Sequence, residues 1–310
     1  DASARQFAAP AWSGNSAPGG SVWLTVGSLS GSGLIQCDGA GVNTWSVVGS
    51  GGRIAVNLTG DGDFSSFTGT MQALPGASGM AGCGTVYTET KAQGAEGVHK
   101  GVLKFAGRGG HPLRYYTTEI FEPGEYEFER IDISNGASLG ICSNATVRAG
   151  TIVGDGAATS SISLLGGKLI LPDDEDLTNC RVSVLADGSE IEGPTSDGKN
   201  VVTIGDGGVL VVDSPLTLAG DLHVKSGGVV KHTKNASWNN GGSTLEPDSS
   251  RYLNTGNWVN SARYVRMALT VTGDMTVDAD GAVDAIEAGV NPTQAPHYEA
   301  NKGGSYGGIT

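Results

Sequence analysis

The chain has 310 residues, of which 51 are glycine, while only 16% are charged and 6% are aromatic. Its formal net charge of −13 disfavours nucleic acid as a partner, because phosphate binding requires clustered Lys and Arg. No apolar run reaches the roughly 18 residues that a membrane span needs, so we expect no membrane insertion. The glycines interleave with Val, Ile, Leu and Thr, which predicts many short strands joined by tight turns.

The first third of the chain predicts strands that repeat every 32 residues. Residues 19–26 (GGSVWLTV), 51–58 (GGRIAVNL) and 83–90 (CGTVYTET) align, with Val22, Ile54 and Val86 at one position. The alternation of apolar residues around that position is the period of two expected of a strand. A second apolar segment follows each one: GLIQCDG, GTMQALPG and GVLKFAG. A fixed period of strands alone is typical of a solenoid.

From about residue 130 the repeating unit becomes shorter. Gly167, Gly188, Gly208 and Gly228 are spaced 21, 20 and 20 residues apart within units such as LLGGKLIL and IGDGGVLVV. About 20 residues suffice for one small coil of a parallel β-helix, with three short strands and their turns. A further match is offset by 53 residues from Leu216 to Leu269, which predicts an inserted loop near 232–261.

These patterns predict an all-β fold, a single elongated right-handed parallel β-helix. Residues 1–130 would form wider coils with the 32-residue period. Residues 131–310 would form tighter coils, the inserted loop near 232–261 and a glycine-rich C-terminal segment. No segment of ten or more residues keeps the apolar periodicity of a helix, and we expect glycines at the corners because positive φ costs them little.

The four cysteines show no C-x-x-C spacing, which weighs against zinc. Two disulfides, Cys37–Cys83 and Cys142–Cys180, are the preferred pairing of three possible ones, and buried free thiols are the alternative. Because the sequence starts at Asp1 without Met and shows no signal peptide, we interpret it as a mature or excised product.

Four motifs give the chain a family resemblance: PGGSVWLTV at 18–26, GSGGRIAV at 49–56, GCGTVY at 82–87 and GGSYGG at 303–308. They resemble the glycine-rich β-helical repeats of very large secreted or surface proteins of bacteria, of the kind known from planctomycete- and verrucomicrobia-like genomes. The resemblance implies a right-handed parallel β-helix, an extracellular or cell-surface location and a structural role. It implies no catalytic residue.

In that family the GGSYGG element precedes the block found here at the N-terminus, so this chain is cut at another phase of the repeat. We therefore hypothesise that the C-terminal segment of one copy completes the first coil of the next and produces a head-to-tail filament. The expected interface residues are Phe7, Trp12, Tyr298, Tyr306 and Ile309. The alternatives are termini that fold back on their own subunit, and one excised repeat.

A secreted polysaccharide lyase or hydrolase is the main rival function. Its best candidate cluster is His223, Lys225, Lys231 and His232 with nearby Asp221, yet an outward polar row is ordinary on a solenoid strand. We therefore predict no catalytic residue.

Metal binding and carbohydrate binding are weaker alternatives. Asp278, Asp280 and Asp284 faintly resemble a calcium loop but lack its remaining ligands, so we expect no cofactor, with Ca²⁺ as the one candidate. The five tryptophans could stack on sugars, which suggests an adhesin module and a cell-surface polysaccharide as a partner beside self-association.

Overall fold

The computed structural model describes residues 2–3, 17–41, 48–76, 81–95, 100–108, 117–156, 160–171, 177–196, 198–232 and 267–285. This part of the chain is all-β, with 23 strands and no α-helix, as predicted. In chain order the strands are β1 (Ser21–Val26), β2 (Leu34–Gln36), β3 (Arg53–Leu58), β4 (Thr70–Gln72), β5 (Thr85–Glu89), β6 (Val102–Ala106), β7 (Thr118–Ile120), β8 (Gly124–Ser134), β9 (Ser138–Cys142), β10 (Ala145–Gly154), β11 (Ser161–Leu165), β12 (Lys168–Ile170), β13 (Arg181–Val184), β14 (Glu190–Glu192), β15 (Thr195–Ser196), β16 (Lys199–Ile204), β17 (Val209–Val212), β18 (Leu216–Leu218), β19 (Asp221–Val224), β20 (Val229–Lys231), β21 (Leu269–Val271), β22 (Met275–Val277) and β23 (Ala282–Asp284).

The strands form several sheets in which most neighbours run parallel. An eight-stranded sheet has the order β1-β3-β5-β6-β8-β10-β12-β14, and a seven-stranded sheet has the order β23-β20-β17-β13-β11-β9-β7. A four-stranded sheet has the order β15-β16-β19-β22, and β18-β21 and β2-β4 form two-stranded sheets. Among the described strand pairs, β5–β6 and β15–β16 are the antiparallel ones.

The register of β1, β3 and β5 has the 32-residue spacing that the sequence predicts. Val22 is opposite Ile54, and Ile54 is opposite Val86. Alternation directs Ile54, Val56 and Leu58 into the core, where each is at most 3% exposed. The second apolar segments Leu34–Gln36 and Thr70–Gln72 also stack on one another, as β2 and β4.

The third apolar segment, GVLKFAG, departs from this repeat. It forms β6, which lies beside β5 in the eight-stranded sheet instead of stacking on β4. β6 is antiparallel to β5 and parallel to β8, so the strand direction of this sheet reverses between β5 and β6.

The buried face of the sheet changes at the same place. Tyr87 of β5 is opposite the core residue Leu103 of β6, whereas buried Val86 is opposite exposed Lys104. Residues in register share one face of a sheet. The core of β1, β3 and β5 and the core of the later strands therefore lie on opposite sides of it, as two separate clusters.

From β7 onward the chain visits a small set of parallel stacks in turn. One column of core residues runs through the seven-stranded sheet in register: Leu139, Ile162, Val182, Leu210 and Val230, each at most 1% exposed. In the long strands β8 and β10 the alternation of buried positions shifts by one residue at 129–130 and 150–151.

Two details of the shorter repeat can be compared with the prediction. Leu216 pairs with Leu269, in agreement with the predicted offset, while the predicted loop near 232–261 lies, apart from His232, outside the described residues. The four spaced glycines do not occupy one equivalent position, because Gly167 and Gly188 precede strands of the eight-stranded sheet, whereas Gly208 and Gly228 precede strands of the seven-stranded sheet. The β15–β16 hairpin lengthens the chain between them and shifts the phase.

Candidate functional site

The first described strands leave one edge of the strand stacks open. β1 is the outermost strand of the eight-stranded sheet. Its core-facing residues Val22, Leu24 and Val26 are only half-buried, although their partners on β3 are fully buried. Trp23 faces outward and is 74% exposed. This edge, formed by β1 and β2, is called the head edge below.

Ala2 lies on the head edge as part of a strand-like ladder. Its N–H donates to the Gln36 carbonyl at 2.8 Å, and its carbonyl accepts from the Gly20 N–H at 2.7 Å. Cys37 makes the same two bonds one layer further in, to Gln72 at 2.9 Å and from Gly52 at 2.7 Å. Ala2 and Cys37 are therefore equivalent positions of successive layers.

The ladder brings backbones so close together that glycine is required. A Cβ on Gly52 would lie 2.0 Å from the carbonyl oxygen of Gly20, and a Cβ on Gly84 would lie 2.0 Å from that of Gly52. The glycines of the GSGG segment at 49–52 therefore permit a close approach of successive backbones.

Asp38 is the buried polar centre behind the head edge. Its carboxylate accepts from the side-chain amides of Gln36 and Gln72, both at 2.7 Å, and from the Leu74 N–H at 2.8 Å. Arg108 completes the set at 3.2 Å, and a buried carboxylate with this many donors is fully compensated. Because Arg108 follows β6, this contact also joins the two parts of the chain that have opposite strand direction.

The last described strands leave a second open edge, called the tail edge below. Met275 and Val277 are 42% and 45% exposed, although their register partners Leu222 and Val224 are at most 1% exposed. Val283 is 49% exposed opposite fully buried Val230. These side chains have the parity of core residues, and no further strand of the described residues covers them.

The predicted disulfides are not formed, and all four cysteines are free thiols. β11 lies between β9, which contains Cys142, and β13, which follows Cys180, so the two thiols are about two strand spacings apart. Cys37 and Cys83 belong to the two separate core clusters. Burial raises the pKa of each thiol, for Cys180 to about 12.

The candidate lyase residues are divided between sheets. His223 and Asp221 belong to β19 of the four-stranded sheet, whereas Lys231 belongs to β20 of the seven-stranded sheet and is followed by His232. Lys225 lies in the turn between them. His223 Nε2 lies 3.0 Å from a carboxylate oxygen of Asp278, which directly follows the neighbouring strand β22. This arrangement is not a row of acid, base and substrate-binding groups.

The candidate calcium residues have separate environments. Asp278 contacts His223, Asp280 adopts a positive φ of 64° in a turn, and Asp284 ends β23 opposite Lys231. Within the described ranges, no three His, Cys, Asp or Glu side chains are grouped so that they could hold a metal ion. The same ranges contain no helix that is long and apolar enough to cross a membrane.

The predicted interface residues Phe7, Trp12, Tyr298, Tyr306 and Ile309 lie outside the described residues. The sequence reasoning missed the residues of the two open edges that are described, chiefly Ala2, Leu34, Gln36, Met275 and Val283. One signal was available for two of them, because the match between 216–230 and 269–283 places Met275 and Val283 at core positions of the last repeat.

No protein-family model, curated protein or solved structure matches this chain.

Proposed function

We propose that this protein is an extracellular, non-catalytic structural protein whose copies associate head to tail into a filament. The observation that supports it is the exposure of core-facing apolar residues at both open edges. Unpaired strand edges and uncovered apolar layers favour association with another β-structure. An interface between two different ends extends into an open fibre wherever the rotation between successive copies does not close a ring.

A β-solenoid is the architecture that we propose for the individual subunit. The parallel ladder of β1, β3 and β5 joins strands that are 32 residues apart, as in Val22, Ile54 and Val86. The connections between parallel strands are right-handed in about 98% of known cases, which favours a right-handed solenoid.

The reversal between β5 and β6 is compatible with one handedness throughout. The strand direction and the buried face both change there, while the sheet continues in the same order. This combination equals a half-turn about the stacking axis, and a rotation leaves handedness unchanged. A reversal of direction alone would have required coils of opposite hand.

The distribution of charge supports an assembly in which unlike ends meet. Residues 1–108 contain six Lys and Arg and six Asp and Glu, so the whole net charge of −13 belongs to residues 109–310. Contact between two tail ends would bring two acidic regions together, whereas head-to-tail contact places a neutral region beside an acidic one.

The extracellular location rests on the resemblance of the four glycine-rich motifs to surface proteins. Trp23 supports a cell-surface polysaccharide as an additional partner, because its exposed indole would offer a stacking face to sugar rings.

Electron microscopy combined with sedimentation tests the filament. We expect unbranched fibres with a uniform width whose length increases with protein concentration, beside a constant pool of single subunits. Short, monodisperse particles at every concentration would contradict the proposal. Release of unsaturated products from acidic polysaccharides would instead favour the lyase.

A further inference from the structure

We infer that the outward face of β1 and β3 binds an acidic polysaccharide, with the Trp23 indole on a sugar ring and the Arg53 guanidinium on a sugar carboxylate. This inference rests on the proposed extracellular role and specifies the chemistry of the polysaccharide partner named there. The site is called the sugar face below. It comprises the outward residues of the two strands: Ser21, Trp23, Thr25, Arg53, Ala55 and Asn57.

The indole of Trp23 is the apolar group of the sugar face. It is exposed, and its Nε1–H donates to the Thr25 hydroxyl at 3.3 Å, which directs the ring along β1. The polar edge of the indole is thereby bonded within the protein, while the ring remains open to a ligand. Such a ring matches the apolar C–H face of a sugar.

The register of the strands leaves a trough beside this indole. Trp23 lies opposite Ala55, and Ala55 lies opposite Tyr87 of β5, so the three residues share one face of the sheet. The two aromatic residues are two strand spacings apart, about 9.6 Å along the sheet. The methyl group of Ala55 is too small to fill the space between them. A polysaccharide can therefore lie over Ala55, parallel to β3.

Arg53 gives the sugar face its charge. Its side chain is exposed, and none of the ion pairs between described residues involves it. β1 and β3 contain no acidic residue, so Arg53 is their one charged residue. Arg53 lies diagonally from Trp23 on the neighbouring strand. A guanidinium binds a carboxylate through two parallel hydrogen bonds, which favours a uronic acid as the sugar that it contacts.

Asn57 provides an unpaired hydrogen-bonding group at the other end of the trough. Its Oδ1 is buried and has no hydrogen-bond partner among the described residues. An unpaired buried acceptor costs free energy, and a turn of this amide towards a sugar hydroxyl would remove that cost. Arg53 and Asn57 are four residues apart on β3, about 13 Å, so the sugar face spans more than one sugar unit and suits a polymer.

Two variants remove the two recognition groups separately. Trp23→Ala removes the stacking ring, and Arg53→Gln removes the charge while it keeps a hydrogen-bonding side chain. Arg148→Gln is the matched control, because Arg148 is an exposed arginine on β10 of the same sheet, outside the sugar face. All three side chains are exposed, so each variant should fold like the parent, and circular dichroism verifies this.

Oligomers of polygalacturonate, alginate and hyaluronan are the probes, each beside its neutral methyl ester. Calorimetry measures Kd at protein concentrations below those that give fibres, and the parent should bind at least one acid form more tightly than its ester. Trp23→Ala should raise the Kd of that acid and of its ester at least about tenfold. Arg53→Gln should raise the Kd of the acid at least about tenfold and abolish its advantage over the ester. Arg148→Gln should change either Kd less than about twofold.

Tryptophan fluorescence gives a readout that depends on the position of the ligand. Binding should change the emission of the parent, whereas Trp23→Ala should show no change even at saturating probe. Parent protein that binds none of the probes, that prefers no acid to its ester, or that loses no affinity in Trp23→Ala would overturn the sugar face and leave the filament intact.

Fibre formation by the same variants separates this inference from the proposed function. We expect Trp23→Ala to form fibres like the parent. Loss of fibres in Trp23→Ala would overturn the sugar face, because the indole would then belong to the contact between copies. A parent that binds the probes as expected but never forms fibres would refute the filament and support the sugar face.

Discussion

At the scale of single residues, the turns show which chemistry the fold demands. The sequence pattern predicts glycines at the corners of the coils, and Gly207 and Gly227 lie in turns with φ of 66° and 77°. Asn179 and Asp280 have φ of 47° and 64°, however, and lie in the same succession of turns, bonded to Asp206 and Gly227. Asn and Asp tolerate this region better than other side chains do, so a search for glycine alone finds only part of the corners.

The buried thiol of Cys180 should make the fold sensitive to alkali. Burial raises its pKa from 9.0 to about 12 in the folded state. A raised pKa contributes stability that is complete below the unfolded value and is lost as the pH rises towards the folded value. Between pH 7.5 and pH 10 the free energy of unfolding of the parent should fall by about 1.4 kcal/mol more than that of Cys180→Ala. This difference is the one expected at one pH unit above the unfolded pKa.

Urea denaturation of both proteins at the two pH values measures this difference, in which all other titrating groups cancel. Equal losses of unfolding free energy in the parent and in Cys180→Ala would show that burial does not keep this thiol protonated up to pH 10. A thiol reagent gives an independent check, since the buried thiols of Cys37, Cys83 and Cys180 should react fully only after denaturation.

At the scale of elements, the junction between β5 and β6 is the feature that the repeat pattern did not predict. The Tyr87 hydroxyl donates to the Glu89 carboxylate and accepts the Gly101 N–H at 3.0 Å. The Tyr87 ring meets Phe128 of β8 edge to face, with centroids 6.3 Å apart. Both contacts hold the chain at the point where the strand direction and the buried face reverse, and burial raises the pKa of Tyr87.

Tyr87→Phe should destabilise the junction by about 2 kcal/mol, because the Gly101 N–H and the buried Glu89 carboxylate each lose a partner. Tyr126→Phe is the matched control: its hydroxyl donates to the Glu122 carbonyl at the surface, so we expect a change below about 0.5 kcal/mol. Chemical denaturation of the two variants measures the difference. Similar losses of stability in the two variants would mean that the hydrogen bonds of the Tyr87 hydroxyl contribute no more than the bond of a surface tyrosine.

At the scale of the whole molecule, charge opposes association. The acidic residues 109–310 of neighbouring copies repel one another, and salt shortens the range of this repulsion from about 30 Å at 0.01 M to about 8 Å at 0.15 M. The contacts that we propose at the two edges are backbone bonds and apolar surfaces, which salt weakens little.

The concentration needed for half-assembly should therefore fall as NaCl is raised from about 0.01 to 0.15 M, and light scattering across a salt series measures it. Assembly that weakens with salt would show instead that ion pairs between copies hold the ends together. Electron micrographs of the same samples distinguish fibres from non-specific aggregates, which also scatter light.

The sequence alone determined the all-β class, the 32-residue register of β1, β3 and β5, and the pairing of Leu216 with Leu269, because alternation and period are local properties that any reader of the chain can measure. Only the tertiary structure decided the rest. GVLKFAG has the same alternation whether it stacks on β4 or turns back beside β5, and nothing local distinguishes the two. The sequence likewise gives the number of residues between the cysteines but not the distances between their sulfur atoms. An open edge is defined by which strands lie beside it, and this depends on the tertiary structure.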